Sequence, residues 1–347
     1  MRRKNLIPAQ ALFLLLGLAL LSACQRPNMQ HQEAYVFGTR VEVLVADTDA
    51  NKGRAAVATV LREFDRMHAS YHAWKPSELH TLNQTLQSGK SHTVSPELAA
   101  FILDAQDLAK KGDYLFDPGI GQLIGLWGFQ SDEFQAKQPD PKALAAWLHH
   151  KPSIADIEIH NNVVSSRNSK VSLDFGGYLK GVALDRAAEI LRREGIHNAL
   201  INIGGNVMAL GSKHGKKWKV GLQHPRQPGP LAAIELNDGE AIGTSGDYQR
   251  FFELDGKRYP HLLDPRTGWP ATHTQAVTVL IPGGERAGTL SDALSKPIFI
   301  AGKEGWRNMA HQLGVDQVLR VDASGKVQVT EKMRQRLEAG ESMETVP

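Results

Sequence analysis

The feature that most constrains the fold is a glycine-rich segment, Asp174 to Gly181, followed by a helical pattern. Apolar residues recur at helical spacing behind it, and Gly195 is placed to end the helix: Leu179, Val182, Ala183, Ala187, Ile190 and Leu191. A glycine-rich turn between a strand and a helix presents backbone N–H groups to an anion. Lys180 lies in the first turn, where the helix dipole disfavours a positive charge. A phosphate ligand would offset that unfavourable interaction. The spacing matches neither a P-loop nor a Rossmann fingerprint.

A second polar segment runs from Thr244 to Tyr248 and from His261 to Gly268. It gathers hydroxyls, carboxylates, a histidine and an arginine in a stretch punctuated by glycine and proline. Such a loop is poor material for a core and suits a binding or catalytic site. We therefore predict a functional site here.

Composition limits the class of protein. The 347 residues carry a formal net charge of +3 with 22% charged residues, which gives no indication of a nucleic-acid-binding surface. Cys24 is the one cysteine, so no intramolecular disulfide can form, even in an oxidising compartment. The length suits one large domain or two closely packed ones.

The N-terminus has the pattern of a secretory signal: a basic patch at residues 2–4, an apolar run over 11–21 and small residues after it. A retained membrane anchor is the alternative, but the run falls short of the roughly 20 residues that span a bilayer. The sequence Leu21-Ser22-Ala23-Cys24 resembles the bacterial lipobox, where the signal is cut before the cysteine and the cysteine carries the lipid. Gln25, which is not aspartate, suggests by the same resemblance that outer-membrane sorting is permitted. We assign residues 1–23 to a lipoprotein signal peptide and 24–34 to a lipid-anchored linker.

Strand and helix patterns alternate through the main domain, residues 35–330. The patterns predict strands at 35–45, 154–159, 163–166, 171–175, 199–203, 218–225, 232–236 and 275–281 and a hairpin over 317–329. They predict helices at 55–66, 96–111, 141–150, 179–191, 285–296 and 304–313. The strand at 35–45 has a bulge or close backbone approach at Gly38, and Pro297 interrupts or ends its helix. The charged tail, 331–347, is predicted helical and then frayed.

An aromatic loop from Ser70 to Leu79 lies between two of these elements. Its histidines, with His68 and His80, have no regular metal-ligand spacing, which favours solvated histidines over a metal site. Trp74 is either a stacking surface for a ligand or a core aromatic.

Four segments together resemble the ApbE family of FAD:protein FMN transferases. They are Phe116-Asp117-Pro118 leading to Leu126-Trp127-Gly128-Phe129, Asp174 to Gly181, Asn202-Ile203-Gly204-Gly205-Asn206, and Thr244 to Tyr248 through His261 to Gly268. The resemblance covers Tyr35 to Leu313 and keeps the family's order. It implies an α+β fold of mixed and antiparallel sheets with packed helices and a central FAD cleft.

The resemblance also implies an activity. Enzymes of this family split the diphosphate of FAD with Mg²⁺, move FMN onto a Ser or Thr hydroxyl of a target flavoprotein, and release AMP. Expected acceptors are periplasmic flavin-bearing subunits of membrane redox complexes. The lipobox-like sequence places the protein in the bacterial cell envelope, anchored through Cys24 to the inner or outer membrane and facing the periplasm.

Site residues follow position by position from the resemblance. Positions for flavin or nucleotide contact are Phe37, Trp74, Leu115, Phe116, Asp117, Asp174, Lys180, Thr244 and Ser245. His261 is placed to take the proton of the acceptor hydroxyl, and Asp264 and Arg266 to orient or neutralise. The positions for Mg²⁺ are Gly177 through its carbonyl, Asp292, Ser295 and Lys296, with Asp174 also serving the metal. A core role for His261 and a turn-capping role for Asp174 are the alternatives.

One departure from the family pattern concerns the metal. The family usually has Asp-Ala-Leu-Ser-Thr with the threonine on the metal, whereas Lys296 stands at that place here. A protonated lysine cannot ligate a cation. Either Ser295 and backbone oxygens complete the site while Lys296 points at phosphate, or Mg²⁺ binding is weakened and the protein is an FAD-binding carrier or assembly lipoprotein. A structural envelope lipoprotein, which would bind no flavin, is a third class.

Overall fold

The computed structural model describes residues 29–131, 133, 135–338 and 343–346. The predicted signal peptide and Cys24 lie outside the described residues. Within those ranges no helix has both the length and the apolar character needed to cross a membrane.

The described chain contains both helices and strands, with ten consecutive strands between α6 and α7. The helices are α1 Ala50–Ser70, α2 Glu78–Gln87, α3 Pro96–Lys111, α4 Gly121–Leu126, α5 Pro141–His150, α6 Leu179–Arg193, α7 Ala287–Gln312 and α8 Glu331–Arg334. The strands are β1 Met29–Val36, β2 Thr39–Ala46, β3 His92–Thr93, β4 Ile157–His160, β5 Val163–Ser166, β6 Ala199–Ile203, β7 Asn206–Leu210, β8 Trp218–Gln223, β9 Pro230–Leu236, β10 Ala241–Gly246, β11 Phe251–Leu254, β12 Lys257–Pro260, β13 Leu263–Asp264, β14 Trp269–Pro270, β15 Thr274–Ile281, β16 Val318–Asp322, β17 Val327–Thr330 and β18 Glu344–Val346.

A nine-stranded sheet in the order β1-β2-β6-β7-β10-β15-β16-β17-β18 is the centre of the fold. Its neighbours pair antiparallel except β17 and β18, which are parallel. Helices α1, α6 and α7 cover one face of the sheet, and the β8–β9 hairpin covers the other. Strand β15 is buried along its whole length, as expected of a strand with both faces covered. The predicted α+β fold of antiparallel-dominated sheets with packed helices is confirmed.

Helices α6 and α7 meet at two glycines. A Cβ at Gly181 would lie 2.5 Å from the Gly288 carbonyl oxygen, so only glycine allows this approach. Asp185 of α6 accepts hydrogen bonds from the backbone N–H groups of Gly288 and Thr289 at 2.7 and 2.8 Å. In return, Asp292 of α7 accepts one from Gly181 N at 2.9 Å. The junction thereby brings a carboxylate of α7 to the N-terminal turn of α6.

Two predictions near the N-terminus were wrong. The single strand with a bulge at 35–45 is instead an antiparallel hairpin, β1–β2, because Phe37 and Gly38 adopt φ of 56° and 69°. That pair of positive angles suits a tight two-residue hairpin turn. Residues 29–34, assigned to the linker, form most of β1.

The predicted strand at 171–175 is also wrong. Its backbone is held by a side chain and by an irregular segment. Asn83 accepts from Leu173 N at 2.7 Å and donates to Leu173 O at 2.8 Å, while Ser172 and Asp174 bond to the backbone of residues 118–121. The chain here makes a single bridge, between Ser172 and Ile120.

Pro297 does not end its helix. Helix α7 continues through it and breaks at Gly302, whose φ of 73° leaves the helical region. A Cβ there would lie 2.0 Å from the His273 ring, so the ring fills the space that a side chain would need. The tail differs too: among its described residues helix is confined to α8, and residues 344–346 pair with β17.

Candidate active site

Asp292 and Lys296 form a buried ion pair one turn apart on α7. Lys296 Nζ lies 2.5 Å from Asp292 Oδ1 and 2.7 Å from the Asp292 carbonyl oxygen. The side chains are 1% and 13% exposed, so water screens the pair weakly. Burial alone would raise the pKa of Asp292, but the charges of Lys296 and Lys180 hold it below its usual value. Asp292 is therefore an anion held between two cations.

The residues at Asp292 do not fit a magnesium ion as they stand. Mg²⁺ takes an octahedron of oxygen ligands at about 2.0–2.1 Å. Here the Lys296 ammonium occupies one carboxylate oxygen and the carbonyl of Asp292, and Gly181 N occupies the other carboxylate oxygen. The carboxylate that the resemblance assigns to the metal thus already has a cation and a backbone donor.

The hydroxyl residues of this region lie on β10 and α7. Ser295 Oγ donates to the Asp292 carbonyl oxygen at 2.8 Å and lies 2.8 Å from Ser245 Oγ. Both serines are buried, so these hydroxyls join β10 to α7. Thr244, partly buried, shares a hydrogen bond with Thr278 on β15 at 3.0 Å. Of the two predicted residues, Ser245 contacts α7, the helix that carries Asp292, whereas Thr244 contacts strand β15.

Lys180 and the glycine turn stand at the N-terminus of α6. Burial lowers the pKa of Lys180, and the charges of Lys296 and Arg250 lower it further while Asp292 opposes the shift. The charges of Asp292, Lys296 and Arg250 therefore all act on Lys180, which lies in the first turn of α6 beside Gly181. The turn combines cationic side chains with the partial positive charge of a helix N-terminus.

His261 faces the same cluster from the loop after β12. Its Nδ1 lies 3.0 Å from the Arg250 carbonyl oxygen. A carbonyl can only accept, so Nδ1 carries the proton and Nε2 remains the basic atom. Burial, with the charges of Arg250 and Lys180, lowers the pKa of His261 to about 3. The imidazole is therefore neutral near pH 7 and able to accept a proton.

Asp264 and Arg266 bind each other. Arg266 donates to both carboxylate oxygens of Asp264, from Nε at 2.9 Å and from Nη2 at 2.8 Å. Asp264 is buried and Arg266 is exposed. No described contact joins this pair to Lys180, Asp292 or Lys296. Their predicted catalytic role stays a prediction.

Asp174 and Trp74 form a second polar contact beside the cluster. Trp74 Nε1 donates to Asp174 Oδ2 at 2.9 Å, and Gly176 N donates to Oδ1 at 2.7 Å. Asp174 therefore caps the glycine turn, as its alternative role required, and orients the indole. The Trp74 ring passes 3.5 Å from the Cβ position of Gly125 and packs against the core while remaining partly exposed.

The other predicted flavin positions split into two groups. Phe116 approaches Gly177: its ring lies 3.5 Å from that residue's Cβ position, while Lys296 Cε lies 2.8 Å from it on the other side. Leu115 is buried in the core beside Phe116. Phe37 instead packs against the rings of Phe64 and His68, with distances of 5.9 and 5.8 Å between the ring centroids.

The loop histidines are partnered rather than solvated, contrary to prediction. His72 Nδ1 accepts from the backbone N–H groups of Trp74 and Lys75 at 3.1 and 3.2 Å. His80 Nδ1 lies 3.2 Å from Ala73 O, and the His68 ring packs on His72. These side chains fix the loop that carries Trp74.

Asp117 binds the backbone. Oδ1 accepts from Gly119 N and Ile154 N, both at 2.8 Å, and Oδ2 accepts from the Ser153 hydroxyl at 2.5 Å. Burial raises the pKa of Asp117 to about 6 even though these donors oppose the shift. Asp117 thus joins the segment after α3 to the segment before β4.

Asp117→Ala therefore tests whether this residue acts in folding or in ligand contact. The variant leaves two buried N–H groups without an acceptor, and we expect the free energy of unfolding to fall by about 2–4 kcal/mol. Urea denaturation measures it, with Asp107→Ala on the exposed side of α3 as the control. An unchanged stability with weakened flavin binding would contradict the structural role.

Sequence analysis missed Arg250. Its charge lowers the pKa of both His261 and Lys180, and its carbonyl fixes the imidazole tautomer. Arg250 Nη2 also donates to the Phe129 and Ser131 carbonyl oxygens at 3.1 Å. Its place between the two halves of the predicted polar segment was the signal that could have found it.

The family model described as ApbE family matches residues 37–319. This chain belongs to the ApbE family. The match covers most of the 347 residues and includes all four segments on which the resemblance rested. The predicted family is confirmed.

Curated relatives extend the match. The chain is 38% identical over 339 residues to the FAD:protein FMN transferase of Rhodobacter capsulatus, covering 98% of this chain and 64% of that protein. It therefore spans slightly less than two thirds of that relative's length. It is 30% identical over 318 residues to the FAD:protein FMN transferase of Haemophilus influenzae, covering 87% of this chain and 90% of that one.

Solved structures share the fold. The crystal structure of the ApbE protein from Thermotoga maritima aligns with a TM-score of 0.82 at 30% identity, covering 90% of this chain and all of that one. The flavin transferase ApbE from Vibrio cholerae aligns with a TM-score of 0.77 at 24% identity, which shows the fold alone.

Proposed function

We propose that this protein is an FAD:protein FMN transferase that moves FMN from FAD onto a Ser or Thr hydroxyl of a target flavoprotein and releases AMP. The observation that carries the proposal is the α6–α7 junction in an ApbE-family chain. There Lys180, Lys296 and a helix N-terminus concentrate positive charge beside a neutral His261. Such a site suits a diphosphate and a reaction that transfers a phosphoryl-type group.

The diphosphate of FAD would bind at the glycine turn before α6. The ammonium groups of Lys180 and Lys296 offer donors for phosphate oxygens, and the N-terminus of α6 adds its partial positive charge. Phe116 and Trp74 border the turn from neighbouring elements and offer apolar surface for the ring systems of FAD. Transfer of this kind depends on positioning and charge neutralisation more than on covalent chemistry by the protein.

His261 would take the proton in the transfer step. The acceptor hydroxyl oxygen attacks the phosphorus of the FMN half, and the bond from that phosphorus to the bridging oxygen breaks. AMP leaves with the bridging oxygen, and the hydroxyl proton passes to His261 Nε2. An anionic diphosphate nearby raises the basicity of a histidine that Arg250 and Lys180 otherwise depress.

Magnesium dependence, expected from the resemblance, meets an obstacle in this chain. The oxygens of Asp292 already bind Lys296 and Gly181. The same observation favours a second candidate, an FAD-binding carrier or assembly lipoprotein that holds flavin and transfers it poorly.

We also propose an envelope location. The support is the lipobox-like sequence before Cys24. In this proposal the lipid on Cys24 anchors the protein and the domain faces the periplasm, where flavin-bearing subunits of membrane redox complexes are the expected acceptors. Labelling with a radioactive fatty acid, compared between the natural chain and Cys24→Ala, tests the anchor.

Lys180→Met tests the diphosphate site. The variant keeps the length of the side chain and removes its charge, so we expect FAD affinity to fall about tenfold or more. Quenching of flavin fluorescence measures the affinity, and free riboflavin, which lacks the diphosphate, should bind both proteins equally. Lys170→Met, on an exposed turn, is the control. Equal FAD affinity of Lys180→Met and the natural protein would contradict the proposed position.

The transfer itself separates the two candidates. The protein is incubated with FAD and a flavoprotein domain whose mature form carries FMN on a threonine. Covalent flavin on that domain with matching AMP release supports the transferase. Bound FAD without either product supports the carrier.

A further inference from the structure

We infer that the Lys296 ammonium serves as a built-in cation in place of a divalent metal ion, so that FAD binds at the α6–α7 junction without Mg²⁺. The inference deepens the proposed function, because it rests on FAD binding at this site. It does not require that transfer occurs.

The first ground is where the ammonium lies. Lys296 Nζ contacts two oxygens of Asp292, the carboxylate Oδ1 at 2.5 Å and the backbone carbonyl at 2.7 Å. A carboxylate and a carbonyl are hard oxygen donors of the type that a Mg²⁺ ion uses. A Mg²⁺ ion and the Lys296 ammonium would need the same space. Because the pair is buried, water would screen the repulsion between them only weakly. The ammonium therefore replaces the metal ion rather than adding to it.

The second ground is that the surrounding chain is shaped for this lysine. A Cβ at Gly177 would lie 2.8 Å from Lys296 Cε and 3.1 Å from Cδ, so the lysine stem occupies the space a side chain would take. Phe116 packs on the other side of Gly177, at 3.5 Å from the same Cβ position. Only 13% of the Lys296 side chain is exposed. The stem therefore lies against the glycine turn.

The third ground is the remaining donor set. Asp292 Oδ2 accepts from Gly181 N at 2.9 Å, and Ser295 Oγ is engaged with the Asp292 carbonyl oxygen and with Ser245. The Asp292 and Ser295 oxygens that a divalent ion would gather are thus already bonded within the protein. Lys180 and Arg250 add positive charge that acts on the same cluster. A diphosphate can balance this positive charge, whereas a second cation would increase it.

Binding measurements on the purified protein test the inference. FAD affinity is measured by quenching of flavin fluorescence in millimolar MgCl₂ and in EDTA, and Mn²⁺ binding in the absence of FAD is measured by electron paramagnetic resonance. For the natural protein we expect FAD affinities within about twofold in the two buffers and no saturable Mn²⁺ binding. A loss of affinity of about tenfold in EDTA, or saturable Mn²⁺ binding, would overturn the inference.

Lys296→Thr supplies the converse test. Removing the ammonium exposes the Asp292 oxygens, so we expect FAD affinity to fall about tenfold in EDTA and to recover when MgCl₂ is added. Lys296→Met lacks both the charge and the oxygen, so its FAD affinity should fall in EDTA and should not recover when MgCl₂ is added. Thermal unfolding checks that both variants fold. If either variant does not fold, the measurements on the natural protein decide whether Lys296 replaces the metal ion. If both variants bind FAD like the natural protein in EDTA, the lysine is not the cation. Failure of flavin transfer to an acceptor would count against the proposed function and leave these binding results intact.

Discussion

We expect His261→Gln to lower the rate of flavin transfer at least about 100-fold and to change FAD affinity by less than about threefold. The substitution removes the basic atom and keeps the size and polarity of the side chain. In the natural protein Nδ1 is committed to the Arg250 carbonyl, so the glutamine can replace that hydrogen bond but not the lone pair of Nε2. Single-turnover kinetics with an acceptor domain measure the transfer step, and fluorescence quenching measures FAD binding. The two readouts separate a lost base from a lost binding site.

The matched control is His150→Gln, an exposed histidine at the end of α5. It should transfer flavin at the rate of the natural protein. If His261→Gln also keeps its rate within a few-fold, the base is another group and His261 is a core histidine, the alternative that its sequence position allowed.

The pH dependence of stability offers a second view of His261. Its pKa in the folded protein, about 3, lies below the usual value of 6.5, because burial and the charge of Arg250 disfavour the imidazolium. The unfolded chain therefore binds a proton between those pH values that the folded protein does not, and stability falls as the pH drops through this window. Urea denaturation at pH 7 and pH 4.5 should show a smaller loss of stability for His261→Gln than for the natural protein.

Gly243→Ala lowers the free energy of unfolding by about 3 kcal/mol or more, since a methyl group cannot be accommodated where β10 crosses α7. The new Cβ would lie 1.9 Å from the Ser291 carbonyl oxygen and 3.0 Å from Asp292 N, both backbone atoms that cannot rotate away. The strand and the helix must separate, and Asp292 must move with the helix. Flavin binding should therefore weaken along with stability. Urea denaturation and fluorescence quenching on the same preparation measure both.

Gly284→Ala is the control for that variant. No atom lies within 4 Å of its Cβ position and its φ lies outside the left-handed region. Its stability should change by less than about 1 kcal/mol. If Gly243→Ala is as stable as Gly284→Ala, the close approach of β10 to α7 is not what positions Asp292.

Local patterns in the sequence predicted the elements that depend on local physics. The helical spacing behind the glycine-rich segment predicted α6, and the strand patterns at 154–159 and 163–166 predicted β4 and β5, which pair across a turn where Asn161 and Asn162 adopt positive φ. The wrong assignments depend on partners far along the chain. In residues 171–175 the Asn83 side chain takes both backbone hydrogen bonds of Leu173, and nothing near residue 173 in the sequence indicates that contact.

The site follows the same division. Residue types and order pointed to Lys180, His261 and Asp292, since each stands in a segment that resembles the family. Their meeting depends on the glycine contact between Gly181 and Gly288, which no pattern predicts. The role of Asp117 in joining two segments also required the fold, because two of its three donors come from residues 153 and 154. The sequence showed that Lys296 departs from the family pattern, but it did not show that Lys296 binds Asp292.

The most direct test of the account is the intact mass of an acceptor domain after incubation with this protein and FAD. The α6–α7 junction, with His261 as base and Lys296 as cation, predicts a gain equal to one esterified FMN group on a single Ser or Thr, with one AMP released for each. The gain should appear in EDTA as well as in MgCl₂, and His261→Gln should nearly abolish it. An acceptor of unchanged mass, with FAD still bound to the protein, would contradict the transferase.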